Sequence, residues 1–321
     1  MRGISISEYS NPDQLRVSEL DTPKREPKTL LVETIAAGVN FIDTYQRQGL
    51  PGYQKPLPLI LGLEGSGRVI QSDPDSSFSV GDVIAWPFHP ESYAEVVAIP
   101  ESKAITVPEG VDPKVAAAVM LQGLTAHYLV NSTFEIKPNS KALVHAGSGG
   151  VGRLLIQMIK NAGGVVIATA STEQKRESLG ALGCDYAIPY EQFHKTVREI
   201  TDNAGVDVVY DGVGNDTYMQ SLASLRKRGL LALFGASSGA VPPMDLQILN
   251  SMGSLFLTRP TLADYIATRE EYEKRASDIF RDISEKRLIV EIGGEYPFEN
   301  ASQAHIDLQS RKTSGKLLLV P

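Results

Sequence analysis

The chain has 321 residues, with 31 Lys plus Arg against 38 Asp plus Glu and a net charge of −7. That length predicts about two domains of roughly 100 to 200 residues, and the acidic balance excludes a strongly basic nucleic-acid footprint as the main feature. A single cysteine, Cys184, excludes an internal disulfide and a cysteine-rich zinc site, so a reducing, cytoplasmic setting is expected. The N-terminus lacks the apolar core of a signal peptide, and no run of about 18 apolar residues is present, so a soluble protein with no membrane partner is expected.

In chain order, residues 1 to 122 read as short strands broken by Gly and Pro: ISIS, LLVETIAAGV, EGSGRVI, GDVIAW and YAEVVAI. Their β-branched content and turn punctuation predict an antiparallel β region. From Lys141 the pattern becomes apolar strand, Gly turn and helix-period segment in repetition: KALVHAG, VGRLLIQMIKNAGG, VVIATAS, TEQKRESLGALG, CDYAIPY. It continues with VDVVYDGVG, a predicted helix DTYMQSLASLRKRG and a strand LLALFG. This alternation predicts a parallel sheet covered by helices. A strand SLFLT, a charged helix around TREEYEKRASDIFRDISEK, a second helix PFENASQAHIDLQS and the strand KLLLVP follow. The tail resembles the first region. The expectation is therefore an α/β protein in which a Rossmann-like domain, residues 123–265, is inserted between two parts, 1–122 and 266–321, of a mainly antiparallel domain.

The strand KALVHA runs into Gly147, Ser148, Gly149, Gly150, Val151 and Gly152 and then a helix. This is G-x-G-x-x-G in its strand-turn-helix context, the dinucleotide fingerprint. Gly147 suits a tight turn, Gly149 close approach to a pyrophosphate, and Gly152 close helix–strand packing, with free N–H groups facing the anion. A plain Gly-rich turn is the competing reading. The next strand, VVIATA, reaches Ser171 with no carboxylate to repel a 2′-phosphate, and Lys175 one turn on is placed to neutralise one. NADPH is favoured over NADH on that basis; a solvated helix lysine is the alternative.

Further motifs carry a family resemblance. The run Ala36 to Tyr45, AAGVNFIDTY, then GLEGSG from Gly62, Gly81-Asp82, QGLTA from Gln122, the Gly turn, and Phe234-Gly235 resemble the zeta-crystallin-like quinone oxidoreductase branch of the medium-chain dehydrogenase/reductase superfamily. The resemblance implies a GroES-like catalytic domain, a Rossmann domain, an interdomain cleft, NADPH use and a homodimer. It also implies that Asn40, Asp43 and Tyr45 lie at the mouth of the nicotinamide site, with Tyr53 in a substrate-facing loop. Asp43 as a helix cap, Tyr45 as packing and Tyr53 as a loop anchor stand beside those roles. Gln122 and Thr125, read as beginning a helix that bridges the domains, match cofactor-contacting positions. So do Tyr190, Asn215, Phe234, Gly235, Ser237, Thr258 and Arg311, the last equally readable as a cation at a helix end.

Zinc-dependent relatives in the superfamily carry a Cys and a His-Glu pair where this chain has Asn40 and Leu63-Glu64, so no metal is expected. The five histidines show no metal-binding spacing and are read as local hydrogen-bonding or surface residues. The leading expectation is reduction of a quinone by NADPH, through hydride or electron transfer. An alkenal, enone or enoyl-thioester double-bond reductase is the second reading, and an RNA-binding or structural crystallin-like protein is the alternative of another class. The apolar run 254–258 at the expected sheet edge predicts a homodimer.

Overall fold

The computed structural model describes residues 1–310 and 312–321; the expected cofactor residue Arg311 lies outside the described residues. The first part of the chain forms strands β1 (Arg2–Ile6), β2 (Val17–Glu19) and β3 (Thr29–Val39), helix α1 (Phe41–Gln48), and strands β4 (Leu59–Ile60), β5 (Gly65–Gln71), β6 (Val83–Trp86), β7 (Val96–Pro100) and β8 (Ile105–Thr106). Helix α2 (Pro113–Tyr128) follows. The parallel region then runs β9 (Lys141–Val144), α3 (Gly150–Asn161), β10 (Val165–Thr169), α4 (Glu173–Leu179), β11 (Tyr186–Ile188), α5 (Phe193–Ile200), β12 (Val206–Asp211), α6 (Tyr218–Ser224), β13 (Leu225–Leu233), α7 (Gln247–Ser251) and β14 (Phe256–Thr258). It is followed by α8 (Leu262–Tyr265), α9 (Arg269–Ser284), β15 (Ile292–Pro297), α10 (Ala301–Ser310) and β16 (Lys316–Val320).

The chain divides into two units, one comprising Met1–Gln122, Tyr272–Lys286 and Val290–Pro321, the other Gly123–Glu271 and Arg287–Ile289. The first is built on the eleven-residue β3, which pairs antiparallel with β7 along its first half, with β16 along its last residues, and with β5. Register shifts at Leu31/Val32 and Thr34/Ala36 bend β3 enough to serve all three partners. The tail strand β16 thus completes the sheet begun by the first region. Leu30, Val32, Val69, Ile84, Trp86, Val97 and Ile99 fill one core. Ile4, Val39, Leu61, Tyr93, Phe298, Leu317 and Leu319 fill another. On α9 the buried residues Tyr272, Ala276, Ile279 and Phe280 make the apolar stripe of an otherwise charged helix.

The second unit is a six-stranded parallel sheet in the order β11-β10-β9-β12-β13-β14. Strand order reverses between β9 and β12, which is where ligands bind, outside the carboxyl ends of such strands. Leu143, Ile167, Val209 and Leu231 line its core with Phe193, Leu222 and Leu225.

Three expectations change. The segment LRKRG, read as the end of a helix, opens strand β13, because Leu225 is buried in the core and Arg226 pairs with Asp207 on the neighbouring strand at 2.5 Å. Residues 266–271 belong to the second unit, not the first, and so do Arg287 to Ile289. The Tyr265 ring, just before that stretch, stacks on Tyr128 at 4.1 Å, and Ile289 exchanges two backbone hydrogen bonds with the Gln157 amide, at 2.8 and 3.0 Å. Helix α2 starts at Pro113, with the Asp112 carboxylate accepting from the Lys114 N–H at 2.8 Å. Gln122 and Thr125 therefore lie well inside the helix and do not begin it; Thr125 does not cap it. Pro at the first helical position is a start signal the longer apolar run obscured.

Candidate active site

The turn after β9 depends on steric exclusion. A Cβ on Gly152 would stand 2.2 Å from the Ala146 carbonyl oxygen, closer than any real contact, so only glycine lets α3 begin there. Gly147 is pressed by Leu179 and Ala168, at 2.9 and 3.0 Å from its absent Cβ. The left-handed residue of the turn is Ala146, φ 51°, not Gly147. Gly149 is the N-cap of α3, and a Cβ there would meet only the Ala146 oxygen, at 3.2 Å. The turn is therefore open above Gly149. No side chain caps α3, so the N–H groups of Gly150, Val151 and Gly152 begin the helix with the positive end of its dipole. This cradle fits a dinucleotide pyrophosphate.

The other expected cofactor residues stand at or near the same edge of the sheet. Ser171 is exposed beyond β10, and Lys175 lies half-buried in the first turn of α4, where burial lowers its pKa. Thr172 caps that helix by accepting from the Lys175 N–H at 3.2 Å. The Tyr190 hydroxyl accepts from the Ala146 N–H at 2.9 Å, holding the glycine turn itself. Asn215 is exposed beyond β12, its N–H donating to the Gly239 carbonyl at 3.2 Å. Phe234, Gly235 and Ser237 follow β13 and donate through their N–H groups to the Asp211 and Gly212 carbonyls. Thr258 ends β14. These predicted residues of the second unit thus follow the carboxyl ends of its parallel strands, while Thr125, also of that unit, lies inside α2.

In the first unit the expected nicotinamide-site and substrate-loop residues separate into two groups. Asn40 and Asp43 enter a buried polar network. Asn40 is the N-cap of α1; its N–H donates to Asp43 Oδ2 at 2.8 Å, its amide nitrogen to Glu64 Oε1 at 2.7 Å, and its amide oxygen accepts from Lys316 Nζ at 2.7 Å. Lys316 Nζ also binds Glu64 Oε1, and the Leu121 N–H of α2 donates to Glu64 Oε2 at 2.6 Å. Lys316 and Glu64 are 1% and 0% exposed. Removing one partner of such a pair costs about 3–5 kcal/mol because the other charge is left buried and unpaired. Gly38 is glycine for this reason: a Cβ would lie 2.2 Å from Glu64 Oε1. Asp43 takes the capping role that stood as its alternative. Glu64, Lys316 and Tyr93 were not anticipated as site residues; the available signals were a lysine heading an otherwise apolar strand and a glutamate within the glycine-rich run Gly62 to Gly67.

Tyr45 and Tyr53 form the second group. Their rings lie 5.0 Å apart, and Phe41 is 6.4 Å from Tyr45. The loop carrying Tyr53 leaves α1 at Gly49, φ 63°, over which the Tyr9 ring packs where a Cβ would stand. The pair is half-buried, a set of flat faces suited to an aromatic ligand.

Burial sets the electrostatics. The Asp43 carboxyl is pushed up to about 7 by desolvation, against the stabilising Asn40 N–H, Tyr93 hydroxyl and Lys316 ammonium. The Tyr93 hydroxyl donates to Asp43 Oδ2 at 2.8 Å and lies 3.4 Å from His305 Nε2. Arg47 donates to His305 Nδ1 at 3.0 Å, and burial with that cation brings His305 down to about 3. No group of three or more His, Cys, Asp or Glu among the described residues is placed to hold a metal ion.

Residues 26–130 match the alcohol dehydrogenase GroES-like domain family and residues 150–281 the zinc-binding dehydrogenase family. Quinone oxidoreductase 1 of Escherichia coli is 39% identical over 325 residues, covering 99% of each chain. The chain belongs to the quinone oxidoreductase family of medium-chain dehydrogenases/reductases. A solved structure of E. coli quinone oxidoreductase complexed with NADPH superimposes with a TM-score of 0.97 at 38% identity, over 100% of both chains. A 2-haloacrylate reductase of Burkholderia is 35% identical over 98% of each chain. Within this family fold, the parallel sheet is the Rossmann domain and the sheet built on β3 the GroES-like one.

Two outcomes are expected. Gly152→Ala forces the 146 carbonyl out of place and lowers dinucleotide affinity by at least about tenfold, whereas Gly149→Ala, with only a 3.2 Å contact, costs less; fluorescence titration with NADPH ranks them. The second concerns pH. Because Asp43 is raised from 3.8 to about 7 in the folded protein, its contribution to stability is lost as pH rises through that interval, at no more than about 1.4 kcal/mol per pH unit. Asp43→Asn keeps an acceptor for Asn40 and Tyr93 and escapes that loss. Urea unfolding should therefore show the variant gaining on the wild type from pH 4 to 7 and levelling above, while His305 contributes the opposite slope, losing stability below 6.5, in both proteins.

Proposed function

We propose that this protein reduces quinones with NADPH and uses no metal. The observation that carries the reading is the glycine cradle after β9 with uncapped N–H groups at the start of α3, in a chain alike over its full length to quinone oxidoreductases. NADPH supplies a hydride, which with one proton converts a quinone to its hydroquinone and leaves NADP⁺. The chain's residues bind and orient. Gly147, Gly149, Gly150, Val151 and Gly152 hold the pyrophosphate, and Ser171 and Lys175 take the 2′-phosphate in the absence of a carboxylate at the end of β10. Tyr190, Asn215, Phe234, Gly235, Ser237, Thr258, Gln122, Thr125 and Arg311 complete the cofactor set.

Tyr45 and Tyr53 offer ring faces to a flat, electron-poor substrate and a phenol to donate to oxygen as charge develops there. Asn40 and Asp43 act behind them by fixing the start of α1, the helix that carries Tyr45. Support for a metal-free site comes from the donors present: the Asn40 amide oxygen and Glu64 carboxylate already bind the Lys316 ammonium. An unactivated alcohol, which needs its hydroxyl acidified, is a poor substrate for such a site. The 2-haloacrylate reductase relative favours a second reading, reduction of a conjugated carbon–carbon double bond by the same hydride. No helix among the described residues is long and apolar enough to cross a membrane, and we place the protein in the cytoplasm.

Purified protein should oxidise NADPH in the presence of quinones, undiminished by a strong chelator, and Lys175→Ala should weaken NADPH about tenfold or more while leaving NADH unchanged. Activity confined to alcohols, or abolished by chelation and restored by zinc, would overturn the reading. A substrate panel of quinones against enones separates the two reductase readings.

We further propose a homodimer through β14. Among the described residues it is the last strand of its sheet and pairs with β13 alone, and Phe256 is 60% exposed while Leu257 packs inward. An apolar edge of this kind needs cover. Light scattering should report twice the 34.8 kDa chain mass, and Phe256→Glu should yield a monomer.

A further inference from the structure

One buried side chain in the Rossmann unit has no part in the reading above. His145 directly follows β9, is 1% exposed, and therefore touches no ligand. Its Nδ1 lies 2.9 Å from Thr169 Oγ1 at the end of β10, and its Nε2 lies 2.9 Å from Ser221 Oγ on α6. The Ser221 hydroxyl donates to Asp211 Oδ2 at 2.8 Å, beside the Thr217 hydroxyl at 2.7 Å. Asp211 Oδ1 accepts from the N–H groups of Val213 and Gly214 at 2.8 and 3.0 Å. Four donors thus converge on one carboxylate.

The direction of each bond follows. The Ser221 hydroxyl donates its hydrogen bond to Asp211, so its oxygen is left as an acceptor and His145 Nε2 must carry the hydrogen; Nδ1 then accepts from Thr169. Burial lowers the pKa of His145, in keeping with this neutral, one-donor, one-acceptor ring. Its faces are fixed as well, by Tyr190 at 5.9 Å, near parallel, and by Phe193 at 4.6 Å, edge-on. Tyr190 in turn holds the Ala146 N–H, and the Thr169 carbonyl accepts from the Gly147 N–H at 2.8 Å. The imidazole is therefore bonded to the strand end that holds the glycine turn and, through the Ser221 hydroxyl, linked to the carboxylate that holds the turn after β12.

We propose that His145 is a positioning residue for the dinucleotide: with Ser221 and Asp211 it locks the glycine turn after β9 to the turn at Val213 and Gly214, keeping both shaped before the cofactor arrives. The proposal rests on the reading of that turn as the NADPH site. Preorganisation of this kind lowers the cost of binding and leaves the chemical step alone.

The test titrates the full-length wild type, His145→Ala, His145→Gln, His145→Asn and Ser221→Ala with NADPH, and measures kcat with a quinone at saturating NADPH and the melting temperature of each. The expected result is a Kd for NADPH about tenfold or more above wild type in His145→Ala and Ser221→Ala, with kcat within about twofold. Glutamine, whose amide nitrogen reaches the Nε2 position and can donate to Ser221, should restore most of the affinity. Asparagine, which reaches only the Nδ1 position, should not. Wild-type affinity in folded His145→Ala or Ser221→Ala, equal rescue by the two amides, or loss of kcat at unchanged Kd would each overturn the proposal. Should His145→Ala fail to fold, Ser221→Ala, which removes a single oxygen, decides. Failure of the wild type to bind NADPH would strike the cofactor reading itself, and this proposal with it.

Discussion

The GroES-like unit is organised around a charge that water never reaches. Lys316 brings an ammonium into the interior on β16, and Glu64 and Asn40 bind it there. Each of the three is costly to bury alone, so each dictates where the others stand. The consequences reach outward along the backbone. Glu64 fixes α2 at the Leu121 N–H, one residue before Gln122; Asn40 fixes the start of α1, the helix that carries Tyr45. Gly38 gives up its side chain so that the carboxylate fits. A network of this kind sets geometry more than it adds net stability, since well-packed apolar groups of the same volume would serve stability as well.

A second polar system does comparable work in the Rossmann unit around a buried carboxylate. Asp211 collects four donors, and His145 connects it to β10. Both systems tie strand ends to the turns beside them: Asn40 follows β3, Glu64 precedes β5 and Lys316 opens β16, while Asp211 and Thr169 close β12 and β10; within a strand, ladder hydrogen bonds already satisfy the backbone. Loops at the carboxyl edge of a sheet have no such ladder. Their amides must find side-chain partners or a ligand, and the groups left over after the side chains are counted, at the start of α3, are the ones offered to a phosphate.

The polar chain from Asp43 through Tyr93 and His305 to Arg47 shows what burial does to charge. Desolvation raises the carboxyl and lowers the imidazole toward their neutral forms, and the arginine, whose charge cannot be shed, lies against uncharged acceptors: the imidazole, the Gln309 amide oxygen and the Ser10 carbonyl. The core of this unit thereby keeps its hydrogen bonds with few formal charges.

The sequence by itself determined the α/β class, the parallel order of strand and helix from Lys141, the glycine cradle and the return of the tail to the first unit, because hydrophobic period and glycine spacing are local properties of a chain. It determined the candidates Tyr45 and Tyr53 through a motif, and the capping alternative for Asp43 through position. Only the tertiary structure decided that Asn40 would be held at both ends of its amide, since its partners Glu64 and Lys316 lie 24 and 276 residues away. For the same reason Leu225 to Gly229 became strand: their helical propensity was overruled by Asp207 and a core on a different strand. The residues that shape the site without touching a ligand, His145, Ser221 and Asp211, carry no spacing signal at all. They meet because the ends of β9 and β12 lie side by side in a folded sheet with α6 packed beside them, and that adjacency exists only in three dimensions.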